Sequence, residues 1–208
     1  MTLVGQRVAL GGAELTVLQP EDAAELPDDG PVEWAPLVPY WSVLWRSGVA
    51  LAREVAGSDL AGLRVVELGC GLGVPSLAAA RAGARVLATD SEPEALELLD
   101  RNAVENGVEV ETALVDWRSP GALVARGPFD LVLAADVLYE RPAVALLLAL
   151  LPRLGGETWL ADPGRPAADV FVERARRRSS VRTTVRDEVR IHRLKGDGHG
   201  RDGVQATR

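Results

Sequence analysis

Glycines at positions 69, 71 and 73 follow a glutamate, Glu67, in the run Val65-Val-Glu-Leu-Gly-Cys-Gly-Leu-Gly-Val. Glycine at alternate positions lets a backbone turn tightly and meet a ligand with no Cβ in the way. Two more acidic residues fall where apolar runs stop: Asp90 after Arg85-Val-Leu-Ala-Thr, and Asp116, with Trp117 behind it, after residues 108–115. A carboxylate at the mouth of a glycine turn repels a pyrophosphate and attracts a cation. The dinucleotide fingerprint G-x-G-x-x-G/A is also missed, because Val74 holds its sixth position. The set suits a positively charged, ribose-bearing ligand instead. Glu67 would face the cationic groups. Asp90, 21 residues after Gly69, would accept from both ribose hydroxyls. Asp116 and Trp117 would meet an adenine, the carboxylate taking its amino group. S-adenosylmethionine (SAM), with a positive sulfonium and amino group, combines these features. Cys70, inside the turn, reads as a small residue filling space beside that cofactor or as a reactive thiol.

Such residues need a scaffold that brings several strand ends to one crevice. From Leu63 onward short β runs alternate with helical stretches. Strands are expected at 64–68, 85–89, 108–115, 129–135 and 158–161, and helices at 74–82, 92–106, 142–154 and 166–178. Ser91 is the expected N-cap of the second of these helices, with Pro93 near its start. Residues 181–185 and 189–194 read as a closing hairpin. The pattern predicts an α/β, Rossmann-like fold: a mostly parallel seven-stranded sheet, an antiparallel C-terminal hairpin and helices on both faces. Ligands in such sheets sit outside the carboxyl ends of the strands. Upstream, two short strands flank Gly11-Gly12, residues 21–39 read as loop, and residues 41–56 carry apolar side chains at helical spacing. The chain divides into N-terminal strands and loop (1–40), a core (41–195) and a Gly-rich flexible tail (196–208).

Composition narrows the chemistry. The 208 residues, 47% hydrophobic and 25% charged, can bury a core without disulfides, and one cysteine forms none internally. The two histidines, His192 and His199, lie near the C-terminus, so the main body carries neither a Ser-His-Asp triad nor a His-rich zinc site, and no metal is expected. A net charge of −7 argues against a global grip on nucleic acid. The basic stretch from residue 173 onward reads as a solvated face or a contact for an acidic partner. Residues 143–151, the most apolar run, fall short of the ~20 residues that span a bilayer. No secretory signal is legible, so a cytoplasmic protein without membrane contact is expected, acting as a monomer.

With these motifs in view, residues 41 to about 163 resemble a class I SAM-dependent methyltransferase. Three segments narrow the resemblance to the seven-β-strand protein lysine methyltransferases, among them those acting on the electron transfer flavoprotein β-subunit. Pro39-Tyr-Trp-Ser-Val-Leu-Trp45 is similar to the leading helix that caps the cofactor in that family, which implies that Trp41 and Trp45 wall the SAM pocket. Ala134-Ala-Asp-Val-Leu-Tyr139 resembles the family's Asp-x-x-Tyr signature. It places Ala134 beside the cofactor, gives Asp136 the task of orienting the acceptor amine, and makes Tyr139 a wall of the substrate channel. The Asn/Asp-Pro-Pro-Tyr/Phe of nucleic-acid and glutamine methyltransferases is absent there. Asp162-Pro-Gly-Arg165 resembles the flavoprotein β-subunit enzymes and makes Asp162 a second anchor for the incoming cation. Arg165 reads as a guide for an acidic protein surface or a solvated turn residue. The resemblance implies a protein substrate, with that β-subunit as the named candidate. A small-molecule N-methyltransferase and a non-catalytic SAM-binding factor are the alternatives.

Overall fold

The structure, a computed structural model, describes residues 2–24 and 39–196. Its centre is a seven-stranded sheet in the order β5-β4-β3-β6-β7-β9-β8. The strands are β3 (Arg64–Leu68), β4 (Arg85–Asp90), β5 (Glu111–Leu114), β6 (Leu131–Ala135), β7 (Glu157–Asp162), β8 (Ser179–Arg186) and β9 (Val189–Gly196). Strands β3 to β7 run parallel, while β9 pairs antiparallel with both β7 and β8. After β3 the chain builds outward through β4 and β5, then returns to lay β6 on the other side of β3. The carboxyl ends of β3 and β6 thus form a topological switch point, where a crevice opens between diverging loops.

Alternation along each strand explains the layers. Val65, Leu131 and Ala161 join the apolar cluster of α2 (Arg46–Ala56), α3 (Val74–Arg81) and α4 (Pro93–Glu105). Their neighbours Val66, Val132 and Leu160 join that of α5 (Gly121–Ala125), α6 (Arg141–Leu154) and α7 (Pro166–Ala175). Successive side chains point to opposite faces, so strands covered on both sides read as unbroken apolar runs.

The N-terminal hairpin, β1 (Leu3–Ala9) and β2 (Glu14–Pro20), forms its own two-stranded sheet. Its Val8, Leu10, Leu15 and Val17 enter the cluster of α2, α3 and α4. Two asparagines one turn apart, Asn102 in α4 and Asn106 at its C-cap, stand in for a neighbouring strand. Asn102 Oδ1 accepts from Leu18 N at 2.6 Å and Asn106 Oδ1 from Thr16 N at 2.9 Å, while the same amides donate to the Leu18 and Thr16 carbonyls. The outer edge of β2 is satisfied without another strand.

Local differences from expectation have local causes. Ser91 does not cap α4: Glu92 is its N-cap, with no side-chain cap bond, and Asp90 Oδ1 accepts from Glu92 N instead. The helix expected from residue 41 is broken into a 3-10 turn (Tyr40–Ser42) and α2, because Val43 and Trp45 are both extended. Short helices at Glu21–Ala24 (α1) and in α5 carry too few residues to show a period. The expected loop over 25–38 and the tail after 196 lie outside the described residues, while Gly196 itself ends β9. Among the described residues, no helix is long and apolar enough to cross a membrane.

Candidate functional site

A cavity of about 950 Å³ lies outside the carboxyl ends of β3, β4 and β6. Its floor is the turn after β3. Gly69, Gly71 and Gly73 take φ of +64°, +50° and +74°, a region open to glycine at little cost. Space forbids side chains there too. A Cβ on Gly71 would stand 3.0 Å from the Trp41 carbonyl oxygen, and one on Gly73 would press into the buried Leu99.

Three carboxylates surround this turn. Asp90 Oδ2 accepts from Gly71 N at 2.8 Å, so the residue expected at the ribose also braces the glycine turn. Burial raises its pKa above the usual carboxylate range. Glu67 is 1% exposed and lines the cavity, with Oε2 accepting from Ser76 N at 2.9 Å and Ser76 Oγ at 2.5 Å in the first turn of α3. Desolvation outweighs those bonds and pushes its pKa up to about 8. Asp116 is more open, and its bonds to Arg118 hold its pKa below the ordinary value. Trp117 lies over Gly69, where an added Cβ would come within 3.4 Å of Trp117 Cζ2. Cys70 is buried, and burial, with Asp90 and Glu67 nearby, drives its pKa well up. That selects the inert space-filling reading over the reactive thiol.

The opposite wall comes from the segment before α2 and the loop after β6. Trp45 Nε1 donates to the Tyr40 carbonyl at 2.9 Å, which folds residues 40–45 over the cavity. Tyr40, not singled out by sequence, carries a ring 5.3 Å from that of Tyr139. Asp136 leaves β6 with φ of +58°, a left-handed conformation that a non-glycine residue adopts at a cost of about 1 kcal/mol or more. Its Oδ1 accepts from both Nε (2.8 Å) and Nη2 (2.7 Å) of Arg165. Asp136 and Arg165 both line the cavity.

A profile of lysine methyltransferases matches residues 41–160. The chain belongs to that family. Protein N-lysine methyltransferase METTL21A of Danio rerio is 38% identical over 125 residues, 56% of this chain and 57% of that protein. The electron transfer flavoprotein beta subunit lysine methyltransferase of Xenopus laevis is 34% identical over 136 residues, 61% of this chain and 53% of that one. The chain thus spans a little over half the length of these relatives. Among solved structures, the T. thermophilus 16S rRNA N2 G1207 methyltransferase superposes with a TM-score of 0.69 at 20% identity, covering 94% of this chain and 51% of that one. That likeness establishes the fold, the Rossmann-like methyltransferase architecture.

Family membership does not carry every expected residue to the site. Trp41, Trp45, Glu67, Gly69, Cys70, Gly71, Gly73, Asp90, Asp116, Trp117, Asp136 and Tyr139 all line the cavity. Ala134 does not. It pairs with Leu68 and Leu160 inside the sheet and is 0% exposed, and Ala135 lines the cavity in its place. Asp162 does not line it either. It is fully buried and outside the lining, with Oδ1 accepting from Gly164 N and Arg165 N at 2.7 Å each. It shapes the turn that aims Arg165, and burial raises its pKa to about 6. Arg165 is therefore an ion-paired, partly buried residue rather than a freely solvated one. Only the fold shows its partner, because 29 residues separate it from Asp136.

Proposed function

We propose that this protein is a SAM-dependent methyltransferase acting on lysine side chains of a protein. The observation that carries the reading is the charge of a cavity in this family's position. Glu67, Asp90, Glu92, Glu94, Asp116, Asp136 and Glu140 line it, against only Arg118 and Arg165, each already paired with a carboxylate. Such a lining disfavours phosphate and suits a ligand with a sulfonium and an ammonium group. The site fits SAM in shape as well. The turn around Gly69 to Gly73 leaves backbone where side chains would stand, Asp90 sits at a strand end suited to ribose hydroxyls, and we assign Asp116 and Trp117, which also line the cavity, to the adenine. Bound there, SAM supplies an electrophilic methyl carbon.

The remaining task is to present a neutral amine. Lysine has an unperturbed pKa of about 10.4, so its proton must leave before attack. Entry into the cavity past the Tyr40–Tyr139 rim removes water from the ammonium, which favours the neutral form. Asp136 Oδ2 holds no hydrogen bond among the described residues and is left to accept from the amine and orient it. Fixing that geometry contributes up to about 7–11 kcal/mol. The acceptor we favour is a folded cytoplasmic protein, with the electron transfer flavoprotein β-subunit as the named candidate.

The test is incubation with methyl-labelled SAM and a lysate lacking this protein, with electron transfer flavoprotein added in one lane. Label in a discrete band, located on lysine by mass spectrometry, supports the reading. Label in the β-subunit supports its narrow form. Label confined to small molecules, with SAM binding shown separately, replaces the acceptor class. Binding without any transfer points to a non-catalytic factor.

A further inference from the structure

Arg165 stands where a cation should be unwelcome to an incoming ammonium, and the fold invests heavily in placing it there. Its backbone N and that of Gly164 are tied to Asp162 Oδ1 at 2.7 Å each. Gly164 takes φ of +101°, and the Arg190 guanidinium packs against it while bonding Asp169 of α7. On the other side, Asp136 holds its left-handed backbone through a bond from its N to the Ala161 carbonyl at 2.9 Å. A glycine turn at Gly164 and, 28 residues earlier, the costly left-handed backbone of Asp136 converge on one ion pair at the cavity wall. Conformations of this kind persist where the surroundings over-determine them, and they concentrate at functional sites.

The pair is also asymmetric. Two of the three guanidinium nitrogens, Nε and Nη2, converge on Oδ1 of Asp136. Resting on the proposed function, we propose that Arg165 is a positioning residue that occupies Oδ1 so that Oδ2 meets the acceptor amine with its charge already compensated. A bare Asp136 would hold an ammonium firmly and keep it protonated, which opposes attack. With Arg165 in place, the carboxylate still accepts a hydrogen bond and sets direction, but no longer rewards the extra proton. The other groups facing this point do not replace it. Asp162 lies behind the Arg165 turn with its own bonds, Tyr139 and Glu140 belong to the loop of Asp136, and Tyr40 reaches it through the Tyr139 ring. Asp90 and Glu92 act on that rim from farther away. All the ionisable groups in this set are acidic, and the nearby cations Arg190 and Arg118 are paired with Asp169 and Asp116, which leaves Arg165 as the cation bonded to Asp136.

The test uses two cofactor analogues with the full-length protein. S-adenosylhomocysteine lacks the methyl group and its charge. Sinefungin carries a primary amine on carbon at the transfer position. Calorimetry at pH 6 to 9 gives the ratio of their affinities in wild type, Arg165→Gln and Arg165→Lys. Removing the guanidinium should raise the sinefungin preference about tenfold near pH 7. Arg165→Lys should restore the wild-type ratio, and the difference should shrink at high pH, where the amine is neutral. An unchanged ratio, or equal loss of both ligands as in a collapsed turn, overturns the inference while sparing the methyltransferase reading. Failure of the wild type to bind S-adenosylhomocysteine removes that reading, and this inference with it.

Discussion

Tyr40 and Tyr139, the only tyrosines in the chain, meet across the rim of the cavity with ring centroids 5.3 Å apart and planes tilted by 45°. Tyr40 opens the 3-10 turn before α2, and Tyr139 lies in the loop after β6 that begins with Asp136. Their contact ties the two walls together, and a tilted aromatic pair of this kind is worth about 0.5–1.5 kcal/mol. Tyr40→Ala and Tyr139→Ala should each speed release of S-adenosylhomocysteine in stopped-flow measurements. The double variant should fall short of the product of the two effects. Strictly multiplicative effects would show that the rings close nothing together.

Glu67 should make cofactor binding proton-linked. Its folded pKa is raised to about 8 from an unfolded value near 4.5, with burial as the main cause. The unfolded chain therefore binds fewer protons than the native one between these values, and the Glu67 contribution to stability falls as pH rises from 4.5 to 8. A cationic ligand favours the carboxylate, so SAM affinity should rise across the same window and binding at pH 7 should release a proton. Calorimetry in buffers of different ionisation enthalpy measures that release directly. Glu67→Gln should abolish it, weaken SAM binding, and unfold at a higher temperature than wild type above pH 8.

Gly62 and Gly73 separate backbone strain from packing. Their φ values are +75° and +74°, yet an added Cβ finds nothing within 4 Å at Gly62 and the buried Leu99 at Gly73. Gly62→Ala should cost only the left-handed backbone term, about 1–2 kcal/mol. Gly73→Ala adds overpacking, so its loss should exceed that of Gly62→Ala by about 1–3 kcal/mol in urea unfolding. Equal losses would mean that Leu99 yields freely.

The β8–β9 turn invites stabilisation. Asp187 and Glu188 both sit at positive φ, +50° and +63°, the geometry of a two-residue hairpin that favours Asn-Gly. Glu188 is exposed, and its ion pair with Arg46 is long at 3.8 Å, so it adds little. Glu188→Gly should raise the thermal midpoint, with a gain of about 0.5–1 kcal/mol. A lower midpoint would show that the contact with α2 outweighs the turn strain.

Much of this protein is legible without coordinates because its signals are local. Alternating β and helical periods set the layer order, and three glycines with an acidic residue at each strand end mark the crevice. These features follow from backbone sterics and from which side chains must leave water. Tertiary structure decided what depends on distance between segments remote in sequence. It alone pairs Arg165 with Asp136, hides Asp162 behind that pair, replaces Ala134 by Ala135 in the lining, and turns one oxygen of Glu67 toward Ser76. It alone sets Asn102 and Asn106 against β2 as a substitute strand. A residue's type announces what it can bond. Which partner it meets, and whether water still reaches it, is decided only when the chain has closed around it.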